Sequence, residues 1–199
     1  MDILIQGGPI TIMILALCVA GMTVFLGKAF YLHKIHVNIQ EFIEGLRNEL
    51  SARRITEAVS ICDSAPGPAT NVLKAGIMHY EDGKVSMEKA MEKTAINEIA
   101  RLEKGVPAIA TIAMISPLLG FLGTVLGLMN IFNSMTQRGG LITSIDLSQG
   151  MWQALISTAF GMAVAVTMYM AYNYLVSRVQ HVVRDIQICS ADLVEILSE

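Results

Sequence analysis

Hydrophobic positions in this chain are concentrated in three runs that contain no Lys, Arg, His, Asp or Glu. The runs cover residues 3–27, 105–137 and 147–177. A helix needs about 20 mostly apolar residues to cross the hydrocarbon core of a bilayer, so each run is long enough to span it. A small soluble domain has too little interior to hide three such helices. The pattern predicts three transmembrane helices, at residues 9–32, 106–136 and 150–174.

The segment between the first two runs has the apolar spacing of helices. Apolar residues three or four positions apart recur at 35–50, 55–62 and 69–80, with turn signals at Pro66-Gly67-Pro68 and Asp82-Gly83. The pattern predicts a helical loop over residues 33–105. Within it, Ser86 is predicted to cap a helix that starts at Met87 and continues without a break through Lys104 into the second span.

The tail after the third span, residues 175–199, is predicted to continue that helix. Its apolar residues are spaced alternately four and three apart, and they are Leu175, Val179, Val182, Ile186, Cys189, Leu193 and Ile196. A seam of this kind requires a partner helix. The partner is either one of the chain's own loop helices or a helix of another subunit.

Composition and charge agree with a membrane protein. The chain is 53% hydrophobic and 16% charged, whereas soluble domains have about 25% charged residues. Its net charge of -3 lacks the basic excess of a nucleic-acid binder, so no nucleic-acid partner is expected. Of the 14 Lys and Arg residues, 11 lie between Lys28 and Lys104. Because cytoplasmic loops are rich in Lys and Arg, residues 33–105 and 175–199 are predicted to be cytoplasmic, and the N-terminus and the 137–149 link periplasmic.

Recognisable catalytic or cofactor-binding patterns are missing from the sequence. Cys18, Cys62 and Cys189 are far apart. His33 and His36 lie near the inner end of the first span, His79 and His181 are isolated, and histidines of this kind on amphipathic helices are more often surface residues than metal ligands. A phosphate-binding P-loop, an HExxH motif and a nucleophile elbow are also missing. The sequence therefore predicts no enzyme, no metal site and no cofactor.

The second and third spans carry small residues at helical spacing. The positions are Ala113, Pro117, Gly120, Thr124, Gly127 and Ile131 in the second span, and Ala154, Thr158, Gly161 and Ala165 in the third. Small residues let helices approach closely, and threonine hydroxyls can form hydrogen bonds between helices. Two interpretations follow, namely close helix packing and a narrow, weakly polar lumen.

Two motifs on these faces resemble a known family. Leu119 to Gly127, L-G-F-L-G-T-V-L-G, follows Ser116-Pro117 and is similar to the second membrane helix of the MotA/TolQ/ExbB proton-channel family. Ala154 to Met162, A-L-I-S-T-A-F-G-M, resembles the third helix of the ExbB/TolQ branch. The resemblance implies an all-α integral membrane protein with three transmembrane helices and long cytoplasmic helical extensions. It also implies a homo-oligomer, expected to be a pentamer.

The resemblance further implies a proton-channel (stator) subunit in the inner membrane of a Gram-negative bacterium. Such a subunit works with an ExbD/TolR-like single-span partner that carries a membrane aspartate, and with a TonB/TolA-like envelope-spanning protein. Proton motive force would be converted into mechanical work for energised outer-membrane transport or envelope maintenance. The resemblance assigns Thr124 and Thr158 to the pore lining. The lumen interpretation of the small-residue faces adds five further pore-lining residues, Gly120, Gly127, Gly161, Ala154 and Ala165.

Two positions depart from the family's pattern. Gln153 stands at the expected outer mouth, where close relatives carry a glutamate, and Thr167 stands where they carry a proline. The centres of the spans offer no titratable group, so a proton path here has to use a partner's carboxylate. The residues leave the ion open between H⁺ and Na⁺. They also leave open two other functions, a membrane scaffold without ion flow and the membrane subunit of an ATPase-driven pump.

Overall fold

The protein is built from helices. The computed structural model describes residues 7–34, 42, 45–46, 54–65, 67–137 and 144–198. The helices are α1 (Gly8–Lys34), α2 (Ile55–Ser64), α3 (Pro68–Met78), α4 (Lys84–Glu103), α5 (Val106–Gln137) and α6 (Ser144–Ser198). They belong to two compact units. The first, called the span unit, comprises residues 1–27 and 105–174, and the second, called the charged unit, comprises residues 28–104 and 175–199.

Three stretches of helix are long and apolar enough to cross a membrane, and they confirm the predicted all-α class with three spans. They are Gly8–Lys34, Lys84–Gln137 and Leu147–Ile196. Many large apolar side chains of the span unit point away from it, as Met114 (73% exposed) and Phe121 (67% exposed) do. Contiguous apolar surface of this extent is suited to lipid or to other protein and not to water.

The prediction of one unbroken helix from Met87 into the second span is wrong. Helix α4 ends at Glu103 and α5 begins at Val106, with Gly105 between them at φ +91°. Glycine adopts this left-handed conformation without the steric cost of a Cβ atom. Pro107 follows at the second position of α5, and a proline ring would clash with the carbonyl of Glu103 if the helix continued. The break therefore comes from the sequence Gly105-Val106-Pro107.

The predicted cap at Ser86 is also wrong, because α4 begins earlier, at Lys84. Gly83 takes the N-cap position at φ +94°, and its carbonyl oxygen accepts hydrogen bonds from the backbone N–H groups of Ser86 and Met87. The predicted turn at Asp82-Gly83 thus leads directly into the helix, and Ser86 lies within its first turn.

Helix α5 is longer than a bilayer core requires. Its 32 residues correspond to about 48 Å at 1.5 Å per residue, compared with a hydrocarbon thickness of about 30 Å. Its last eight residues carry polar side chains, including Asn130, Asn133, Ser134 and Gln137, interspersed with apolar ones. The Ser134 hydroxyl donates to the Asn130 carbonyl at 2.9 Å, and the Gln137 amide donates to the Asn133 side-chain oxygen at 3.4 Å.

The charged unit has its own hydrophobic core. Buried residues of α2, α3 and α4 pack there with the tail of α6, and the cluster comprises Leu46, Ala58, Cys62, Val72, Leu73, Ile77, Met87, Met91, Ile186, Cys189 and Leu193. For the tail seam, the alternative of packing against the chain's own loop helices is therefore confirmed at Ile186, Cys189 and Leu193. Of the predicted 35–50 helix, Phe42 and Leu46 contribute to this core, whereas Ile35, Ile39, Ile43 and Leu50 lie outside the described residues.

A few polar contacts connect the helices of the charged unit. Lys74 of α3 pairs with Asp63 of α2, and the Asn71 amide of α3 donates to the Glu98 carboxylate of α4 at 3.0 Å. The Lys28 ammonium donates to the Arg101 carbonyl at 2.9 Å, in the last turn of α4, where a positive charge is favourable to the helix dipole. Exposed ion pairs contribute only about 0–1 kcal/mol each, so apolar burial dominates the stability of this unit.

Truncating a core side chain of the charged unit is expected to be costly. Leu193 is 1% exposed in the core, whereas Ile188 on the same helix is 57% exposed. We expect Leu193→Ala to destabilise the protein by about 2–5 kcal/mol, because it removes buried methyl groups and leaves a cavity. We expect Ile188→Ala to cost much less. Thermal unfolding of both variants in mild detergent measures the difference, and equal shifts would contradict this core.

The two thiols of the charged unit are expected to be unreactive in the folded protein. Cys62 and Cys189 are buried at 4% and 1% exposure. Burial, with a smaller contribution from Asp63, raises the pKa of the Cys62 thiol to about 11, and only the thiolate is the reactive nucleophile. Maleimide labelling at pH 7, followed by mass spectrometry, should leave both residues unmodified until denaturant is added. Rapid native labelling at Cys62 would show that this core opens.

Candidate functional site

The closest helix contact in the span unit is between α5 and α6. Gly120 lies opposite Gly161, and Gly127 lies opposite Ala154, so the two helices run antiparallel. A methyl group at Gly161 would lie 2.7 Å from the carbonyl oxygen of Ser116 and 2.9 Å from the Cα atom of Gly120. The backbones touch at this point, as small residues allow.

The buried seam of α6 shares Ala154 and Gly161 with the predicted face, but Ser157 and Val164 are buried in place of the predicted Thr158 and Ala165. The residues of this seam alternate between three and four apart, and they are Ala154, Ser157, Gly161, Val164, Met168 and Ala171, with Ile156 buried beside them. Ser157 is 1% exposed, and its hydroxyl donates to the Ala154 carbonyl at 2.9 Å. Sequence reasoning missed Ser157, although the four-and-three spacing of the tail, extended backwards from Leu175, passes through it.

The seam of α5 differs from its predicted face in the same way. Ser116 and Gly123 are buried there, next to the predicted positions Pro117 and Thr124, which are half-buried. The Ser116 hydroxyl donates to the Ile112 carbonyl at 2.7 Å. Both seams thus place small residues in the contact and set the threonines beside it.

The two predicted pore threonines lie at the edge of the α5–α6 contact. The Thr158 hydroxyl of α6 donates across to the Gly120 carbonyl of α5 at 3.1 Å, and the Thr124 hydroxyl donates to the Phe121 carbonyl of its own helix. Because Gly120 faces Gly161 and Gly127 faces Ala154, Thr124 and Thr158 lie at the same level along the helix pair.

Apolar side chains surround the two threonines. Ala165 continues the α6 edge and is half-buried. The neighbouring outward side chains are large and apolar, including Phe121, Leu155 and Met162, at 67%, 62% and 53% exposure. In contrast, Gly120, Gly127, Gly161 and Ala154 are buried in the helix contact. The structure therefore brings all seven predicted residues together, with Thr124, Thr158 and Ala165 at the surface of the pair and the other four behind them.

Helix α1 packs on the same helix pair. A methyl group on Gly21 would lie 2.7 Å from the Met168 sulfur of α6 and 3.2 Å from the Ile112 Cδ1 of α5. At the start of α1, the side-chain amide of Gln153 lies against Gly8, which has φ +75°. The predicted mouth residue Gln153 is thus half-buried against α1.

Thr167, the second departure from the family's pattern, is exposed on α6. Its hydroxyl donates to the Ala163 carbonyl at 2.9 Å, four residues back. A threonine keeps the backbone N–H that a proline would lack, and the helix is continuous through this position.

The edge of the α5–α6 contact that carries Thr124 and Thr158, called the threonine edge, can act as a hydrogen-bond acceptor. Each hydroxyl donates its proton to a backbone carbonyl, which leaves the oxygen lone pairs available to accept a hydrogen bond. Helix α5 carries no Asp, Glu, His, Lys or Arg. Across the part of the chain that the structure describes, no group of three His, Cys, Asp or Glu is placed to hold a metal ion. The edge can therefore accept a hydrogen bond from a protonated carboxyl group or a water molecule.

The match to known sequences decides the family. Residues 64–188, which include both threonines and the whole α5–α6 contact, match the sequence model of the MotA/TolQ/ExbB proton channel family. The chain belongs to this family. Relatives place it in the ExbB/TolQ branch, a branch of multi-pass membrane proteins of transport systems.

Three relatives illustrate the extent of the similarity. A putative biopolymer transport protein ExbB homolog of Methanothermobacter thermautotrophicus is 27% identical over 184 residues, covering 92% of this chain and 65% of the relative. The Tol-Pal system protein TolQ of Haemophilus influenzae is 39% identical over 98 residues, 49% of this chain and 42% of the relative. The biopolymer transport protein ExbB of Aquifex aeolicus is 36% identical over 84 residues, 42% of this chain and 56% of the relative. The match thus spans about two fifths to two thirds of the length of these relatives.

Proposed function

We propose that this chain is the channel-forming (stator) subunit of an inner-membrane complex that converts proton motive force into mechanical work. In this proposal five copies surround transmembrane helices of an ExbD/TolR-like partner. The N-terminus is periplasmic, and the charged unit is cytoplasmic. A TonB/TolA-like envelope-spanning protein carries the work to outer-membrane transport or envelope maintenance.

The observation that carries the proposal is the threonine edge. Thr124 and Thr158 place two hydroxyl oxygens at one level on a surface that is otherwise apolar and uncharged. An isolated charge at the centre of a bilayer costs several kcal/mol. A partner carboxylate that takes up a proton there becomes a neutral donor, and the hydroxyl oxygens can accept its hydrogen bond. Hydrogen bonding to the protonated form favours that form, so this edge suits a carboxyl group that is loaded and unloaded in turn.

The energy of each proton limits what the complex can do per step. One elementary charge that crosses 100 mV releases about 2.3 kcal/mol. One such step supplies little mechanical work, so we propose that several protons drive one working cycle. Partner carboxyls facing repeated copies of the threonine edge would supply these steps.

The decisive experiment combines mass and proton flux. The chain is co-expressed with a single-span partner that carries one membrane aspartate, extracted in mild detergent, weighed by native mass spectrometry and reconstituted into vesicles with a pH-sensitive dye. We expect a homopentamer with bound partner, and a flux that disappears when the partner aspartate is replaced by asparagine.

Two other results would favour the alternative functions. A stable complex with no flux and a phenotype unaffected by proton uncouplers would indicate a scaffold. A tightly bound nucleotide-binding subunit would indicate a pump driven by ATP.

A further inference from the structure

The charged unit has an apolar groove that its own helices leave open. The groove lies between α4 and the tail of α6 and has a volume of about 320 Å³. Its apolar lining comes from Met91, Ala95 and Ile99 of α4 and from Ile186 and Val194 of α6. Two carboxylates, Glu88 and Glu92, stand on the α4 side of the groove. The result is an apolar cleft with an acidic rim.

Helix α4 also carries a pair of lysines, called the lysine stripe, beside its pair of glutamates. Lys89 and Lys93 are exposed, as Glu88 and Glu92 are. Successive residues of an α-helix are rotated by about 100°, so the lysine pair faces about 100° away from the glutamate pair. Both pairs have a spacing of four residues, and each lysine lies one residue after a glutamate, a rise of about 1.5 Å.

We propose that the acidic groove is occupied by the lysine stripe of α4 from a second copy of this chain. The inference rests on the proposed function, which places several copies side by side, and it names the contact between them. Copies inserted in one membrane with one orientation hold their α4 helices at the same level. At equal level, Lys89 and Lys93 of one copy stand opposite Glu88 and Glu92 of the next.

Charge and apolar area both favour this occupant. The lysine stripe carries the charge opposite to that of Glu88 and Glu92 on the rim of the groove, so the two surfaces are electrostatically complementary. Ile96 lies between the two stripes and is 61% exposed, so the same contact buries an apolar side chain. Because the donor stripe and the acceptor groove are different faces, the contact is heterologous, and a heterologous contact that closes gives a ring.

Charge reversal tests the contact by loss and restoration. We expect Lys89→Glu with Lys93→Glu to lower the oligomer fraction of the full-length chain in mild detergent at least tenfold, measured by native mass spectrometry. Glu88→Lys with Glu92→Lys should do the same. Mixing the two variants by co-expression should restore a mixed oligomer, because each variant then meets its opposite stripe in the other; a ring of five retains one contact between like variants, so we expect partial restoration. An unchanged oligomer fraction in both reversed variants overturns the proposal and leaves the proposed function intact.

Cross-linking tests the neighbour directly and does not depend on the stability of the reversed variants. In a Cys18→Ser background, Glu92→Cys in one copy and Lys93→Cys in another should be joined by a short bis-maleimide, since Cys62 and Cys189 are buried. Each variant alone serves as the control and should give much weaker products. Equal products from the single variants, or linkage of Glu92→Cys only to another protein, overturn the contact. A wild-type chain that is a monomer in every detergent overturns both the contact and the proposed function.

Discussion

Replacing Thr158 by valine is expected to reduce proton flux through the reconstituted complex by about twofold to tenfold. The substitution removes the hydroxyl oxygen that we propose accepts a hydrogen bond from the partner carboxyl. Such a bond between neutral groups contributes about 0.5–1.5 kcal/mol, and each 1.4 kcal/mol in a barrier is a factor of about ten in rate. Dye-detected acidification of vesicles that contain the variant complex measures the effect.

Assembly should survive this substitution. Valine has nearly the shape of threonine, and the lost hydrogen bond from Thr158 to the Gly120 carbonyl contributes about 0.6 kcal/mol in a membrane. Thr158→Ser keeps the hydroxyl and is the matched control, for which we expect near-normal flux. Full flux with valine at this position, in a complex of unchanged mass, would rule out a role for the hydroxyl in proton transfer.

Replacing Gly161 by leucine should prevent the span unit from folding normally. Even a Cβ atom at this position meets the Ser116 carbonyl oxygen at 2.7 Å and the Gly120 Cα atom at 2.9 Å. These are backbone atoms, so the clash can be relieved only by separating α5 from α6. We expect a loss of about 3 kcal/mol, at the upper end of the range for overpacked cores, seen as aggregation or early thermal unfolding in detergent.

Gly27 provides the control for Gly161. It lies in α1, and a Cβ atom built on it meets no atom within 4 Å. Gly27→Ala should therefore be neutral or stabilising, by about 0.4–1 kcal/mol, because alanine restricts the unfolded chain. If both glycine substitutions had the same effect, the cause would be helix propensity and not the contact between α5 and α6.

The distribution of charge was sufficient to predict the spans. A long run without ionisable side chains is stable in a bilayer as a helix, because a helix satisfies all of its backbone hydrogen bonds internally. The threonine and glycine positions could also be named from the sequence, since small residues at helical spacing permit close packing. The break at Gly105 could also have been predicted from the sequence, because a glycine two residues before a proline interrupts a helix even next to an apolar run.

Other features depend on contacts between distant segments and could not be derived from local spacing. Successive residues on a helix point in directions only about 100° apart. The spacing of small residues alone therefore did not show whether Ser157 or Thr158 is buried. In the structure Ser157 is the buried residue, because Gly123 has no side chain and leaves room for it. Likewise, Gln153 lies beside Gly8, which is far from it in the chain, so local spacing could not predict this contact.

The polar end of α5 has a consequence for how this helix can move. Asn130, Asn133 and Gln137 carry amides in its last turns. In the proposed orientation this end of α5 lies at the periplasmic surface, and a shift of one helical turn along the axis, about 5.4 Å, toward the hydrocarbon would carry the amides away from water. An amide that lost its hydrogen bonds there would cost about 4–8 kcal/mol, more than the roughly 2.3 kcal/mol that a single proton provides at 100 mV. In the proposed assembly, displacement of α5 along its axis in that direction is therefore disfavoured, and the level of Thr124 relative to the bilayer is kept constant.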